Sequence, residues 1–158
     1  MSNTQSMCTS FMGELLTATH NFGTAPIRAA TTADTFKAAL YLTTATINAS
    51  TTAYSATGEV SGTNYTAGGV TVTNATAPAS TNSSTTAGVA YWTPSASITY
   101  TTVTLSTAFD TVLIYNSTQS NKSVSVHTFG SQTITAGTFT LTMPSNTTST
   151  ALLRLATT

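Results

Sequence analysis

The chain is unusually poor in charged residues. Its 158 residues include only four Lys or Arg and four Asp or Glu, and the formal net charge is zero. Four cations cannot neutralise the several phosphates that a nucleic-acid interface requires, and they cannot form a basic patch for an anionic membrane. We therefore expect no nucleic-acid partner and no membrane partner. A neutral surface also offers little repulsion between copies, which suits a protein that is partly covered in an assembly.

Cysteine and long apolar runs are scarce as well. The single cysteine, Cys8, excludes an intrachain disulfide. No apolar stretch approaches the roughly 18 residues of a membrane span, and the N-terminus lacks a basic region followed by an apolar run. These features predict a protein that is made in the cytosol and carries no signal peptide.

Residues that carry out catalysis are also few. The two histidines, His20 and His127, lie on different predicted elements. No group of Cys, His, Asp and Glu has metal-ligand spacing, and no Gly-x-Ser-x-Gly nucleophile motif occurs. The two glutamates, Glu14 and Glu59, give no basis for a glycosidase pair. We expect no enzymatic activity, no cofactor and no metal.

Threonine and serine dominate the composition, with 60 residues between them. Thr is β-branched and favours strands. Alternation of apolar and polar residues, or a short apolar run, predicts strands in 35–47, 69–76, 88–93, 97–106, 110–116, 122–130, 132–137, 138–143 and 151–156. The spacing is typical of a β-sandwich or jelly roll. We predict a single all-β domain over 1–158, with the sandwich in 35–156.

Local patterns refine this prediction. Apolar residues at three- and four-residue steps predict one N-terminal α-helix over 7–22, ended by Gly23. In 97–106 the apolar positions change phase between Tyr100 and Val103, which indicates a bulge or a sharp twist. Turn residues predict a hairpin loop between Ile114 and Val124, turns at 135–137 and 144–146, and a polar loop over 76–88.

The segment 57–69, "TGEVSGTNYTAGG", contains four glycines and raises the possibility of a ligand loop. A phosphate loop would need a Lys after the second glycine and a following helix, and both are missing here. We interpret the segment as a turn and bulge that lead into a strand, with Gly68 or Gly69 at positive φ.

Four aromatic residues are candidate interface residues: Tyr54, Tyr65, Tyr91 and Trp92. Aromatic rings can stack on sugars or anchor a protein partner. The alternative is that they belong to the core, above all Trp92, which lies in a short predicted strand.

Three stretches of the chain resemble a family of small structural proteins of tailed-bacteriophage and prophage virions. They are "TFKAALYLTTATINASTTAYSATGEVSGTNYTAGGVTVTN", "DTVLIYNSTQSNKSVSVHTFGSQTITAGTFTLTMP" and "ALLRLA". The most specific part is the motif EVSG-x-x-YTAGG at 59–69. The resemblance covers about residues 8–156.

This resemblance implies a protein of the virion, on the exterior of the capsid. The expected function is that of a capsid decoration, or cement, protein, which binds the major capsid protein and stabilises the head, with a homotrimer as the expected assembly. Such a role needs interface area and no reaction. The alternative is a tail, connector or fibre component, which could bind a host-surface glycan.

Overall fold

Two antiparallel sheets make up the fold, so the predicted all-β, sandwich-like class is confirmed. The computed structural model describes residues 3–8, 11, 15, 19–20, 22, 33–81 and 88–156. Eight strands lie in these ranges: β1 (Ser6–Met7), β2 (Phe36–Leu42), β3 (Val70–Thr71), β4 (Ala79–Ser80), β5 (Val89–Trp92), β6 (Ile98–Asn116), β7 (Lys122–Leu141) and β8 (Leu153–Ala156).

A long hairpin, β6–β7, forms the centre of the larger sheet, whose strand order is β1-β7-β6-β2-β3. Its strands pair from Asn116 with Lys122, beside the turn, to Ile98 with Leu141 at the far end. The predicted hairpin loop is therefore confirmed. The apolar run at 110–116 is buried or nearly so throughout, as a central strand between two covered faces should be.

The smaller sheet has the order β4-β5-β8 and packs on the larger one through aromatic side chains. The Trp92 ring of β5 lies 6.0 Å from the Phe36 ring of β2 and 4.7 Å from Phe22. Phe22 in turn stacks on Phe36, with 4.4 Å between ring centroids. These rings form the contact between the two layers.

The strand predictions hold in position but differ in extent. The segments 97–106 and 110–116 are one strand, β6, and the three segments from 122 to 143 are one strand, β7. The predicted turn at 135–137 is wrong. The chain runs on through a bulge there, where Ala136 has a φ of 46° and its N–H donates to the Thr104 hydroxyl.

The phase change in β6 is a bulge, as predicted. Tyr100 pairs with Phe139 and Val103 with Gly137, so two residues of β6 oppose one residue of β7. Thr102 takes up the distortion with a φ of 54°. Tyr100 and Val103 consequently both point into the core, with exposures of 2% and 1%.

The N-terminal segment differs from the predicted helix at its start. Met7 belongs to β1 and pairs with Ser125 of β7. Phe11 and Leu15 are helical, and Cys8, Phe11 and Phe22 are buried. The other residues of the predicted helix, and Gly23, lie outside the described part of the chain. No helix among the described residues is long and apolar enough to cross a membrane.

Candidate functional site

The glycine-rich segment is a set of turns that leads into β3, as predicted. Gly58, Gly68 and Gly69 have φ values of 79°, 88° and 72°, and β3 starts at the next residue. Gly69 is required for a second reason. A Cβ built there would lie 1.7 Å from the Ala38 carbonyl oxygen of β2, so the backbones touch.

This segment lies across the larger sheet and is tied to it at two points. Glu59 forms an isolated bridge with Tyr41 of β2, and Thr63 forms one with Thr104 of β6. At Gly62 a Cβ would lie 2.0 Å from the Thr104 carbonyl oxygen. Gly62 and Gly69 therefore bring backbone against backbone, and no space is left for a ligand at these two positions.

Glu59 stands at the centre of a hydrogen-bonded cluster. Its Oε1 accepts bonds from the Tyr65 hydroxyl and the Gly68 N–H, both at 2.7 Å. Its Oε2 accepts a bond of 2.6 Å from the Tyr54 hydroxyl. The Tyr65 hydroxyl also accepts a bond from the Leu40 N–H of β2. One carboxylate thus joins the segment to itself and, through Tyr65, to the sheet.

Three further tyrosines donate to backbone carbonyls around the same carboxylate. Tyr41 donates to Ser55, Tyr100 to Ala38 and Tyr115 to Gly68, at 2.6, 2.7 and 2.8 Å.

Rings stack beside these bonds: Tyr54 lies 4.7 Å from Tyr115, and Tyr65 lies 5.9 Å from Tyr100. Burial, followed by proximity to Glu59 and its hydrogen bonds, raises the pKa of Tyr54 and Tyr65 well above the usual range. Burial is also the main cause of the raised pKa values of Tyr41, Tyr100 and Tyr115. The tyrosines of the cluster are therefore neutral over the physiological range.

The four aromatic candidates do not form one surface. Trp92 is 3% exposed, and its Nε1 donates to Asn74 and Thr76, so it belongs to the core, the alternative that the sequence left open. Tyr54 and Tyr65 are half-buried, and both hydroxyls are engaged by Glu59. Tyr91 is half-buried on the smaller sheet, away from that cluster.

Tyr91 borders an apolar cleft of about 250 Å³ between the smaller sheet and the N-terminal segment. Its walls include Phe11, Phe22, Trp92 and Leu155. Among the described residues, Leu155 is the large apolar residue that is exposed, with a relative exposure of 40%.

Ser125 and His127 lie on the same face of β7, with 2.9 Å between Oγ and Nε2. No described carboxylate hydrogen-bonds to His127, and Ser125 is only 1% exposed. Burial lowers the pKa of His127 to about 4. The two residues lack the acid of a catalytic triad. Their hydrogen bond lies where β1 pairs with β7, at Ser125 and Val126.

A metal site was not predicted, and within the described ranges no group of three or more His, Cys, Asp and Glu side chains is placed to hold an ion. The buried Asp34 is instead bonded to the Asn116 and Gln119 side chains, which fixes the start of the β6–β7 turn.

The outer edge of β7 is a feature that the sequence interpretation missed. β6 lines one side of β7 over its whole length, whereas β1 lines the other side only at Ser125 and Val126. The sequence pattern predicts three short strands in place of β7, so a single long edge does not follow from it.

Comparisons with protein-family models, with curated proteins and with solved structures find no match for this chain.

Proposed function

We propose that this chain is a structural protein of a tailed-phage virion that decorates the head, binds the major capsid protein and acts as a homotrimer. The observation that carries the proposal is the role of the glycine-rich segment. That segment is the most specific part of the resemblance, and its glycines and Glu59 clamp it to the sheet. A rigid segment of this kind suits a cement protein, because such a protein stabilises the shell through the area of its contacts.

The charge distribution supports the same function. With four cations and four anions, the chain has no means of attracting nucleic acid or an anionic membrane. Its exposed strand positions are mainly Thr, Ser and Ala, with Arg154 of β8 as a charged exception, and a surface with so little charge can be covered at little desolvation cost. Many weak copies of such a contact add up on a shell in which every position is repeated.

The engaged hydroxyls of Tyr54 and Tyr65 bear on the glycan-binding alternative. Both groups bind Glu59, so neither is available to a sugar without breaking the cluster. Tyr54 and Tyr65 therefore give a fibre-type sugar site no support.

Purified virions of the phage that encodes the chain provide the test. We expect the protein in isolated heads, in a copy number that approaches that of the major capsid protein. Heads from a deletion strain should release DNA at a lower temperature than wild-type heads, and adding back the purified protein should restore them, because binding to the assembled shell stabilises it by mass action.

Two results would count against the proposal. Recovery only in isolated tails, at a few copies per particle, would favour the tail or connector alternative. Heads that withstand heat and osmotic shock equally well without the protein would refute reinforcement even if the protein is bound to them.

A further inference from the structure

The outer edge of β7 is open over about half of the strand. From Gly130 to Leu141, β6 is the only described strand that pairs with β7. Most of these residues are exposed. An edge of this kind presents a row of backbone N–H and C=O groups that can pair with an added strand. We refer to Gly130–Leu141 as the open edge.

Most of the features that usually protect a sheet edge are missing here. Proteins commonly place Lys, another charge or Pro on such a strand. No charged residue occurs between Lys122 and Arg154, and the first proline after β7 begins is Pro144, beyond its end. Bulges are the protective feature that is present: the pairing with β6 shifts register at four places between Tyr100 and Thr111, and the shift at Ala136 divides the open edge into 130–134 and 137–141.

The open edge is held in place by the core beneath it. The Phe139 ring lies 5.2 Å from Phe109, 5.1 Å from Phe129 and 6.1 Å from Tyr100. Ile134 is also partly buried against the core. The strand is therefore ordered before any partner arrives, which reduces the entropy cost of pairing.

We propose that the open edge is a self-association surface, and that its occupant is an edge strand of a second copy of this chain. The second copy is favoured over a charged partner because the stretch 123–153 has no charge with which to recognise one. Copies with zero net charge do not repel each other.

The side chains of the open edge also favour a like partner. Its exposed positions include Gln132, Thr133, Thr138 and Thr140. Thr side chains that face each other across paired strands hydrogen-bond and add stability. Every copy of the chain carries the same open edge, so each copy can act both as the binding surface and as the partner.

This inference deepens the homo-oligomer of the proposed function and rests on that proposal. The test uses the isolated full-length chain without capsids. A monomer would therefore refute the open edge while leaving capsid binding to its own experiment.

The edge variant is Thr133→Lys with Thr140→Lys, two exposed positions on either side of the bulge. The matched control is Ala75→Lys with Ala77→Lys, two exposed positions in the loop between β3 and β4, outside the described strands. Both variants add the same charge. Light scattering on gel-filtered samples gives the mass, and circular dichroism confirms that each variant is folded.

We expect the wild type and the control to be oligomers and the edge variant to be a monomer. Two chains would indicate that β7 meets its own counterpart, and three that it meets a different edge of the next copy. A wild type that stays monomeric at every concentration would overturn the inference. So would an edge variant that keeps the wild-type mass.

Amide hydrogen exchange on the wild type supplies a second test that needs no variant. Protection of amides in 130–141 should rise with protein concentration, while that of 110–116, inside the sheet, should not change. Protection that is independent of concentration in both segments would contradict pairing at the open edge even if the variant failed to fold.

Discussion

Glu59 and Gly68 are joined by a 2.7 Å hydrogen bond from the Gly68 N–H to the Glu59 carboxylate. The bond joins residues nine positions apart, and the Tyr65 hydroxyl donates to the same oxygen. Tyr65 in turn accepts the N–H of Leu40, which is fully buried in β2. The order of the whole glycine-rich segment therefore depends on one acidic side chain.

We expect Glu59→Gln to destabilise the fold. The carboxylate accepts three hydrogen bonds, and bonds to a charged group contribute roughly 1.5–3 kcal/mol each before the amide recovers part of them. A net loss of about 2 kcal/mol in the free energy of unfolding should appear in urea denaturation.

Tyrosine variants separate this network from the general effect of losing a hydroxyl. Tyr65→Phe should also cost about 1–3 kcal/mol, because it leaves the buried Leu40 N–H without its acceptor. Tyr91→Phe is the control, since the Tyr91 hydroxyl makes no hydrogen bond with a described residue, and it should be nearly neutral. Equal stabilities of the Tyr65 and Tyr91 variants would show that the network contributes little.

Gly69→Ala should destabilise the protein by more than the roughly 1 kcal/mol of a typical substitution. The residue has a φ of 72°, and its new Cβ would meet the Ala38 carbonyl oxygen at 1.7 Å. Gly130→Ala is the matched control, because nothing lies within 4 Å of a Cβ there. Thermal melts of the two variants make the comparison. Similar melting temperatures would mean that the backbone at 69 relaxes readily.

Local features of this fold were predictable from the sequence. The positive φ of Gly68 and Gly69 follows from turn chemistry, and the bulge between Tyr100 and Val103 follows from the phase of the apolar residues. Both depend on neighbours within a few positions. The strand character of β2 follows in the same way from the alternation in 35–47.

Features that depend on distant partners were not predictable. β1 and β4 are two residues long and exist because Met7 meets Ser125 and Ala79 meets Tyr91. The link from Glu59 to the sheet needs the Leu40 N–H of β2, which donates to the Tyr65 hydroxyl from 25 positions away in the chain. One signal was present: an acid between two tyrosines, Tyr54 and Tyr65, in a chain with four acids.

Strong alkali should unfold the protein through its tyrosines. The pKa values of five tyrosines are raised above the usual value of about 10, mainly by burial: Tyr41, Tyr54, Tyr65, Tyr100 and Tyr115. Above about pH 10 the unfolded chain loses these protons and the folded chain keeps them, so stability is full below that pH and falls as pH rises.

The measurement is a spectrophotometric titration followed together with circular dichroism. Tyrosinate absorbance from these five residues should appear in one cooperative step that coincides with loss of the β-sheet signal. Gradual ionisation of all tyrosines near pH 10, with the fold intact, would show that the cluster is open to solvent.

Acid should destabilise the fold through His127, and replacing that residue should reduce the effect. Burial lowers its pKa in the folded chain from 6.5 to about 4. Between these values the unfolded chain binds a proton that the folded chain does not, so the stability present above about pH 6.5 is lost as pH falls toward 4. At about 1.36 kcal/mol per pKa unit, and with an allowance for partial exposure, the loss is roughly 2 kcal/mol.

His127→Gln keeps a side chain that can bond to Ser125 and does not titrate. Urea denaturation near pH 7.5 and near pH 4.5 should therefore show a smaller drop in the variant than in the wild type. Every other group is the same in the two proteins, so its contribution cancels in the comparison. An equal drop in the two would place the acid sensitivity elsewhere.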